Sequence, residues 1–126
     1  MHMASFQNEK AYVMEYFTAM EQASSTSLAQ VQASFIADDY EFYGVYPFNK
    51  INNLQDVSDN VWQPIYQSFK NIQRRQDVFI AGENDVSGDT WVMSMGHFMG
   101  LFDADWLGIR ATRKVVMLKY AEFNCV

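Results

Sequence analysis

Apolar residues recur at helical spacing through the first half of the chain. Phe6, Val13, Phe17 and Met20 fall at three-, four- and seven-residue steps, with Glu9, Lys10 and Glu21 off that stripe. This predicts an amphipathic helix over 5–23. Ser24-Ser25-Thr26 interrupts it, and Ser27-Leu28-Ala29-Gln30 has the spacing of a capping box. There the serine hydroxyl accepts from the backbone at Gln30, whose side chain reaches back. A second helix is predicted to about residue 37, burying Leu28, Val31 and Phe35 and ended by Asp38-Asp39. The aromatic run 40–46 predicts a short strand, and 47–53 a loop. A third helix is predicted over 54–70. Val57, Val61, Ile65 and Phe69 share one stripe, with Trp62 and Tyr66 beside it. Pro64 removes a backbone donor and is expected to kink or divide this helix. A divided helix can open its inner face toward a cavity; a plain bend does not.

Beyond it, 76–81 and 90–101 read as strands joined by the turn region 82–89. A loop over 102–113 and a last strand over 115–126 follow. No repeat, linker or low-complexity segment interrupts the chain. Helices first, one short strand among them, then consecutive long strands predict an α+β fold. A curved antiparallel sheet would be covered on one face by helices, in a single domain 1–126.

Composition narrows the class. Of 126 residues, 49% are apolar and 16% aromatic, enough for a real core and against disorder. Fifteen acids against nine bases leave a net charge of −6, and that acid excess favours solubility. Arg74-Arg75 and Arg113-Lys114 are the only adjacent basic pairs, so binding of nucleic acid by phosphate neutralisation is not expected. Cys125 is the sole cysteine. No internal disulfide is possible, which fits a reducing cytoplasm. No apolar run approaches the ~20 residues of a membrane span. The opening MHMASFQ lacks the basic and apolar regions of a signal peptide. Met1-His2-Met3 reads as a cloning remnant, with the natural start at or near Met3, so His2 is set aside.

The order of elements, with these words in it, resembles the NTF2-like superfamily, in particular its SnoaL-like polyketide-cyclase branch. The matching pieces are FIADDYEFYG, WQPIYQSF, RRQDVFIAGEND, WVMSMGHFMG, WLGIRATRK and VVMLKYAEF. The loop looks like the family's LGIPPTGK connection, with Arg110-Ala111-Thr112-Arg113 in place of its usual residues. The resemblance implies a cone-shaped, strongly bent antiparallel sheet wrapping three N-terminal helices (an NTF2-like, cystatin-like α+β barrel). It also implies a ligand cavity between sheet and helices and a homodimer through the open sheet face. Members include cyclases, isomerases, dehydratases and non-enzymatic binding modules. Two departures limit what carries over. The family continues past the AEF strand into one more strand, which in the cyclases bears a catalytic acid. Here Cys125-Val126 ends the sequence, so a shortened domain or a sheet edge completed by another chain is expected. In the ketosteroid isomerase branch an aspartate base follows the helix-ending Ala-Asp-Asp. Counting from Ala37-Asp38-Asp39, that position falls at or near Gly44, after Phe42 and Tyr43. Tyr16 matches that branch's oxyanion-hole tyrosine, but without the base the reaction is rejected.

The candidate chemistry is sparse. His97 is the only histidine outside the remnant. It can move a proton near neutral pH. On an alternating strand it shares a face with Trp91, Met93 and Met95, an apolar setting to which its pKa would be sensitive. The plainer reading is a core histidine satisfied by a carbonyl or hydroxyl. Tyr16, Tyr43, Tyr46, Trp62, Tyr66, Trp106 and Tyr120 are candidate ligand-lining residues, since aromatics with a polar handle suit small-molecule sites. Each is also ordinary core material. Lys119 falls near the second polar active-site residue of the cyclase branch and is a candidate to stabilise an enolate; a solvated lysine is the commoner role. Glu122 and Asp39 are possible bases, or a surface acid and a helix-end cap. No cluster has metal-ligand spacing, and no phosphate loop, dinucleotide fingerprint or hydrolase elbow occurs. No cofactor is expected.

Two functions remain open at this point. One is a cofactor-free cyclase, isomerase or lyase, using His97 on an apolar or aromatic carbonyl substrate. The other is a non-catalytic ligand-binding or protein-interaction module.

Overall fold

The computed structural model describes residues 6–24, 26–37, 41–44 and 48–126. Helix α1, Gln7–Gln22, buries Val13, Tyr16, Phe17 and Met20 along one stripe. Helix α2, Leu28–Phe35, buries Leu28 and also Gln32, with Val31 and Phe35 packed at the core's margin. The capping box expected at its start does not form. Ser27 already has helical backbone angles and makes no side-chain cap bond. Its hydroxyl turns back instead, accepting from the Ser24 N–H at 2.9 Å. The predicted stop at Asp38-Asp39 and most of the predicted strand 40–46 lie outside the described residues. Within that run, β1 (Phe42–Tyr43) pairs antiparallel with β2 (Lys50–Ile51), where a loop was expected. Asn49 takes a left-handed φ of 53°, and the Gly44 N–H reaches the Asn49 carbonyl at 2.8 Å.

The third helical run has three parts. Helix α3, Leu54–Val57, starts at Asn53, whose side chain accepts from the Gln55 and Asp56 N–H groups, a working N-cap. A π-helical segment, Ser58–Trp62, follows, and then helix α4, Gln63–Ser68, with Pro64 in its first turn. Pro64 has no N–H to offer the preceding turn, and the widened π turn accommodates the lost bond without breaking the rod. Val57 and Val61 are buried as the stripe predicts. Phe69 is buried too, but as the first residue of a strand.

That strand, β3, runs Phe69–Glu83, far longer than the 76–81 expected; β4 is Thr90–Phe102 and β5 is Val115–Cys125. Charged residues and two register shifts, between Lys70 and Gln73 and between Gln76 and Val78, break the alternation that would have marked all of β3. Gly96 lies opposite the second bulge. Any Cβ there would run into the Arg75 carbonyl oxygen, so the bulge requires glycine. The sheet order is β3-β4-β5, all antiparallel. Pairing of β4 with β5 is unbroken from Trp91↔Cys125 to Leu101↔Val115. Helices α1 and α2 close one face of this sheet around Phe17, Leu28 and Val92, and Val57, the last residue of α3, is fully buried. The fold is α+β, with its helices ahead of an antiparallel sheet.

Candidate functional site on the two faces of the sheet

Neighbouring residues on a strand point to opposite faces, and residues paired across strands share one. Phe98 meets Trp62 and Tyr120, so its face is the inner one, toward the helices. His97 therefore lies on the outer face, with Trp91, Met93, Met95, Met99 and Leu101. The expected sharing of a face by His97 and Trp91, Met93 and Met95 is observed. Among the described residues, no helix packs on that face.

The inner face centres on a residue not singled out from sequence. Arg74 has a side chain only 4% exposed. Its guanidinium lies 3.7 Å from the ring centre of Phe17, 4.7 Å from Phe98 and 4.8 Å from Tyr120, a cation held by aromatic faces. Its recorded acceptor is Glu122 Oε1, 3.4 Å from both terminal nitrogens. Glu122 Oε2 accepts from Asn124 Nδ2 at 2.9 Å. Tyr120 completes the group through its hydroxyl, 2.7 Å from Ser94 Oγ. The signal was present in the doublet Arg74-Arg75, because two adjacent strand residues cannot both face solvent on a covered sheet.

Trp62 and Tyr66 reach this cluster from the helices. Tyr66 donates to the Met20 carbonyl. Burial raises its phenol to about 12, with Arg74 pulling down and Glu21 pushing up. Tyr16 lies deeper, between Phe17 and Phe35, and accepts from Gln32 Nε2 at 3.3 Å; Gln32 in turn accepts from Ser58. Thus Trp62, Tyr66 and Tyr120 come together, with Tyr16 behind Phe17. The space between them is filled. One hollow, lined by Ile65, Phe69, Phe98 and Leu118 among others, measures about 30 Å³. A second, walled by Trp62, Tyr66, Arg74 and Phe98, measures about 10 Å³. These are water-sized, against several hundred Å³ for a typical ligand pocket.

The remaining candidates sit elsewhere. Tyr43 is 69% exposed and donates to Glu41 at 2.7 Å, with Lys50 over its ring. Tyr46 and Asp39 lie outside the described residues. Trp106 packs edge-on against Phe69, and its buried indole N–H has no partner among the described residues. It begins a tight two-residue hairpin, paired with Ile109 across Leu107 and Gly108, both at positive φ.

On the outer face the register lines up six rows across the sheet. Gly82, Trp91 and Cys125 form the first, then Ile80, Met93 and Phe123, then Val78, Met95 and Ala121. A polar row follows, Arg75, His97 and Lys119. Beyond it lie Gln73, Met99 and Met117, then Lys70, Leu101 and Val115. His97 Nδ1 is 3.4 Å from Asp77 Oδ2, and its side chain is 22% exposed. Val78, Ile80, Trp91, Met95, Val115, Met117 and Phe123 are all exposed, Phe123 to 60%.

Among the described residues no group of His, Cys, Asp and Glu is placed to hold a metal ion, and no helix is long and apolar enough to cross a membrane. Comparison of the chain with protein-family models, curated proteins and solved structures returned no match.

Proposed function

We propose that this protein is a non-catalytic interaction module with an NTF2-like cone fold, pairing with a second copy of itself through the outer face of the sheet. The exposed apolar rows of that face carry the reading, because soluble proteins rarely leave such a surface bare. At about 4.8 Å between strands and 3.3 Å per residue, the face spans roughly 14 by 35 Å. Allowing for side-chain relief, that is comparable to the ~800 Å² each partner gives to a standard interface. A second copy is taken as the occupant because a two-fold pairing covers the same exposed rows on both partners at once. Stacking β3 of one over β5 of the other sets Arg75 of each near Lys119 of its mate, with Asp77 beside His97 to offset these like charges. The filled inner space fits a module that does no chemistry. The lone cysteine fits a reducing compartment such as the cytoplasm.

Sedimentation velocity at micromolar concentration tests this. The expected result is a dimer for the unaltered chain. Met95→Asp, on the middle strand of the face, should raise the dimer Kd about 30-fold or more, the scale of a central interface residue. A monomer at all concentrations would refute the reading.

A second reading rests on one contact, the Asp77 carboxylate beside His97. A carboxylate can orient an imidazole for proton transfer, and Lys119 is the next residue in the row. On this reading the chain is a cofactor-free cyclase, isomerase or lyase whose apolar carbonyl substrate is enclosed between two copies. His97→Gln should then abolish turnover of an identified substrate while leaving the melting temperature unchanged; full activity in that variant would remove His97 from the chemistry.

A further inference from the structure

Pairing uses the outer face for its apolar area and leaves the chemistry of its sulfur atoms without a task. Met93, Met95, Met99 and Met117 all lie on that face. Met99 and Met117 are direct partners across β4 and β5, and His97 follows Met95 and precedes Met99 on the same side of β4. Directly opposed residues hold their Cβ atoms about 5 Å apart, and diagonal ones such as His97 and Met117 about 7–8 Å. His97 and Met99, alternate residues of one strand, are about 7 Å apart. Flexible thioether stems and an imidazole can close a triangle of that size over one ion. Met95 lies on the far side of His97, about 13 Å from Met99, and takes no part. His97 Nδ1 faces Asp77 Oδ2 at 3.4 Å. A carboxylate on one ring nitrogen orients the imidazole and leaves the other nitrogen to a metal. Met117 is 62% exposed, so an ion reaches the triangle from solvent.

From this register we infer that Met99, Met117 and His97 form a binding site for a soft monovalent cation, Cu(I). Thioethers are soft, neutral donors that select Cu(I) over the harder divalent ions, and imidazole suits copper as well. The flanking charges favour the same ion. Arg75 and Lys119 stand on either side of His97 in its row, with the Asp77 carboxylate against the ring. Two fixed cations weigh twice as heavily on a divalent ion as on a monovalent one. All three donors come from one chain, so the site does not depend on whether the outer face pairs.

The test uses Ag(I) as a redox-stable probe, then Cu(I) under ascorbate, each titrated against free methionine as competitor. NMR of labelled methionine methyl groups reads the site and separates Met99 and Met117 from the other methionines. The chain carries Cys125→Ser, because that exposed thiol is itself a soft donor, although it lies about 26 Å from Met117 along β5. Ag(I) and Cu(I) are expected to shift the Met99 and Met117 methyls together with the His97 ring, whereas Zn(II) leaves both methyls in place. Met99→Leu and Met117→Leu conserve volume and the apolar face. Each should weaken Ag(I) at this site at least tenfold while sedimentation stays as in the parent chain, which separates loss of metal from loss of pairing. The titration is repeated on Met95→Asp, so that pairing does not hide the site; its hard carboxylate is a poor donor to these ions. Methyls that stay unshifted in both chains, a His97 shift without them, or unchanged Ag(I) affinity in the two leucine variants would each overturn the inference.

Discussion

Tyr66 ties the third helical run to α1 with one hydrogen bond to the Met20 carbonyl. Only the protonated phenol can make it. Burial lifts its ionisation to about 12, above the usual value of about 10. A group whose folded pKa is raised contributes fully below its unfolded pKa and loses that contribution as pH climbs toward the folded one. Stability should therefore be flat up to about pH 10 and fall between there and about pH 12. Tyr66→Phe should remove part of that alkaline fall and destabilise the protein by about 1–2 kcal/mol at neutral pH, the penalty for leaving the buried carbonyl unmatched. Urea unfolding at neutral and alkaline pH checks both. An identical alkaline fall in the variant would assign it to another tyrosine. Gln32 makes a related point. It is fully buried in α2, tolerated because Tyr16 and Ser58 meet its amide, and pattern reading passes over it because glutamine is rarely a core residue.

Two helix starts separate a cap that exists from one that only looks right. Asn53 accepts from two backbone N–H groups, at 2.8 and 3.3 Å, while Ser27 caps nothing. Asn53→Ala should cost about 1 kcal/mol, and Ser27→Ala only a few tenths; equal losses in chemical denaturation would contradict these bonds. The helices were legible from apolar spacing at three and four, because Val13, Phe17, Met20, Val57 and Val61 bury that face. Strands β4 and β5 were legible to within a residue at each end. Strand β3 was not. Its bulges shift the side-chain period between Lys70 and Gln73, where the predicted third helix ends, and again between Gln76 and Val78, at the predicted strand's start. The candidate site was legible only in pieces. Trp62, Tyr66 and Tyr120 do converge, but the cation between them, Arg74, was read only as half of a basic pair. His97 was placed on the correct set of neighbours, while nothing in a lone strand's alternation says which of its two faces the helices will cover.

At the scale of the molecule, the sheet separates two kinds of surface. Its inner side is closed by helices around Phe17 and Val92, and its outer side is an apolar field crossed by one polar row. Both β3 and β5 are edge strands among the described elements, which leaves their free edges for pairing or protection. The strand order has a further consequence, for the time course of folding. Each strand pairs with the next along the chain, so the sheet can zip as two successive hairpins, starting at the short turn after Glu83. Local pairing of this kind is fast. The helices are synthesised before the strands on which they pack, so the α1 stripe has no sheet to rest on until β3 and β4 exist. A sheet-first order follows. Val92→Ala should slow refolding, whereas Leu28→Ala should mainly speed unfolding; the reverse pattern in stopped-flow kinetics would place the helices first. On a ribosome, the apolar stripe of α1 would stay unsheltered until β3 and β4 had emerged behind it.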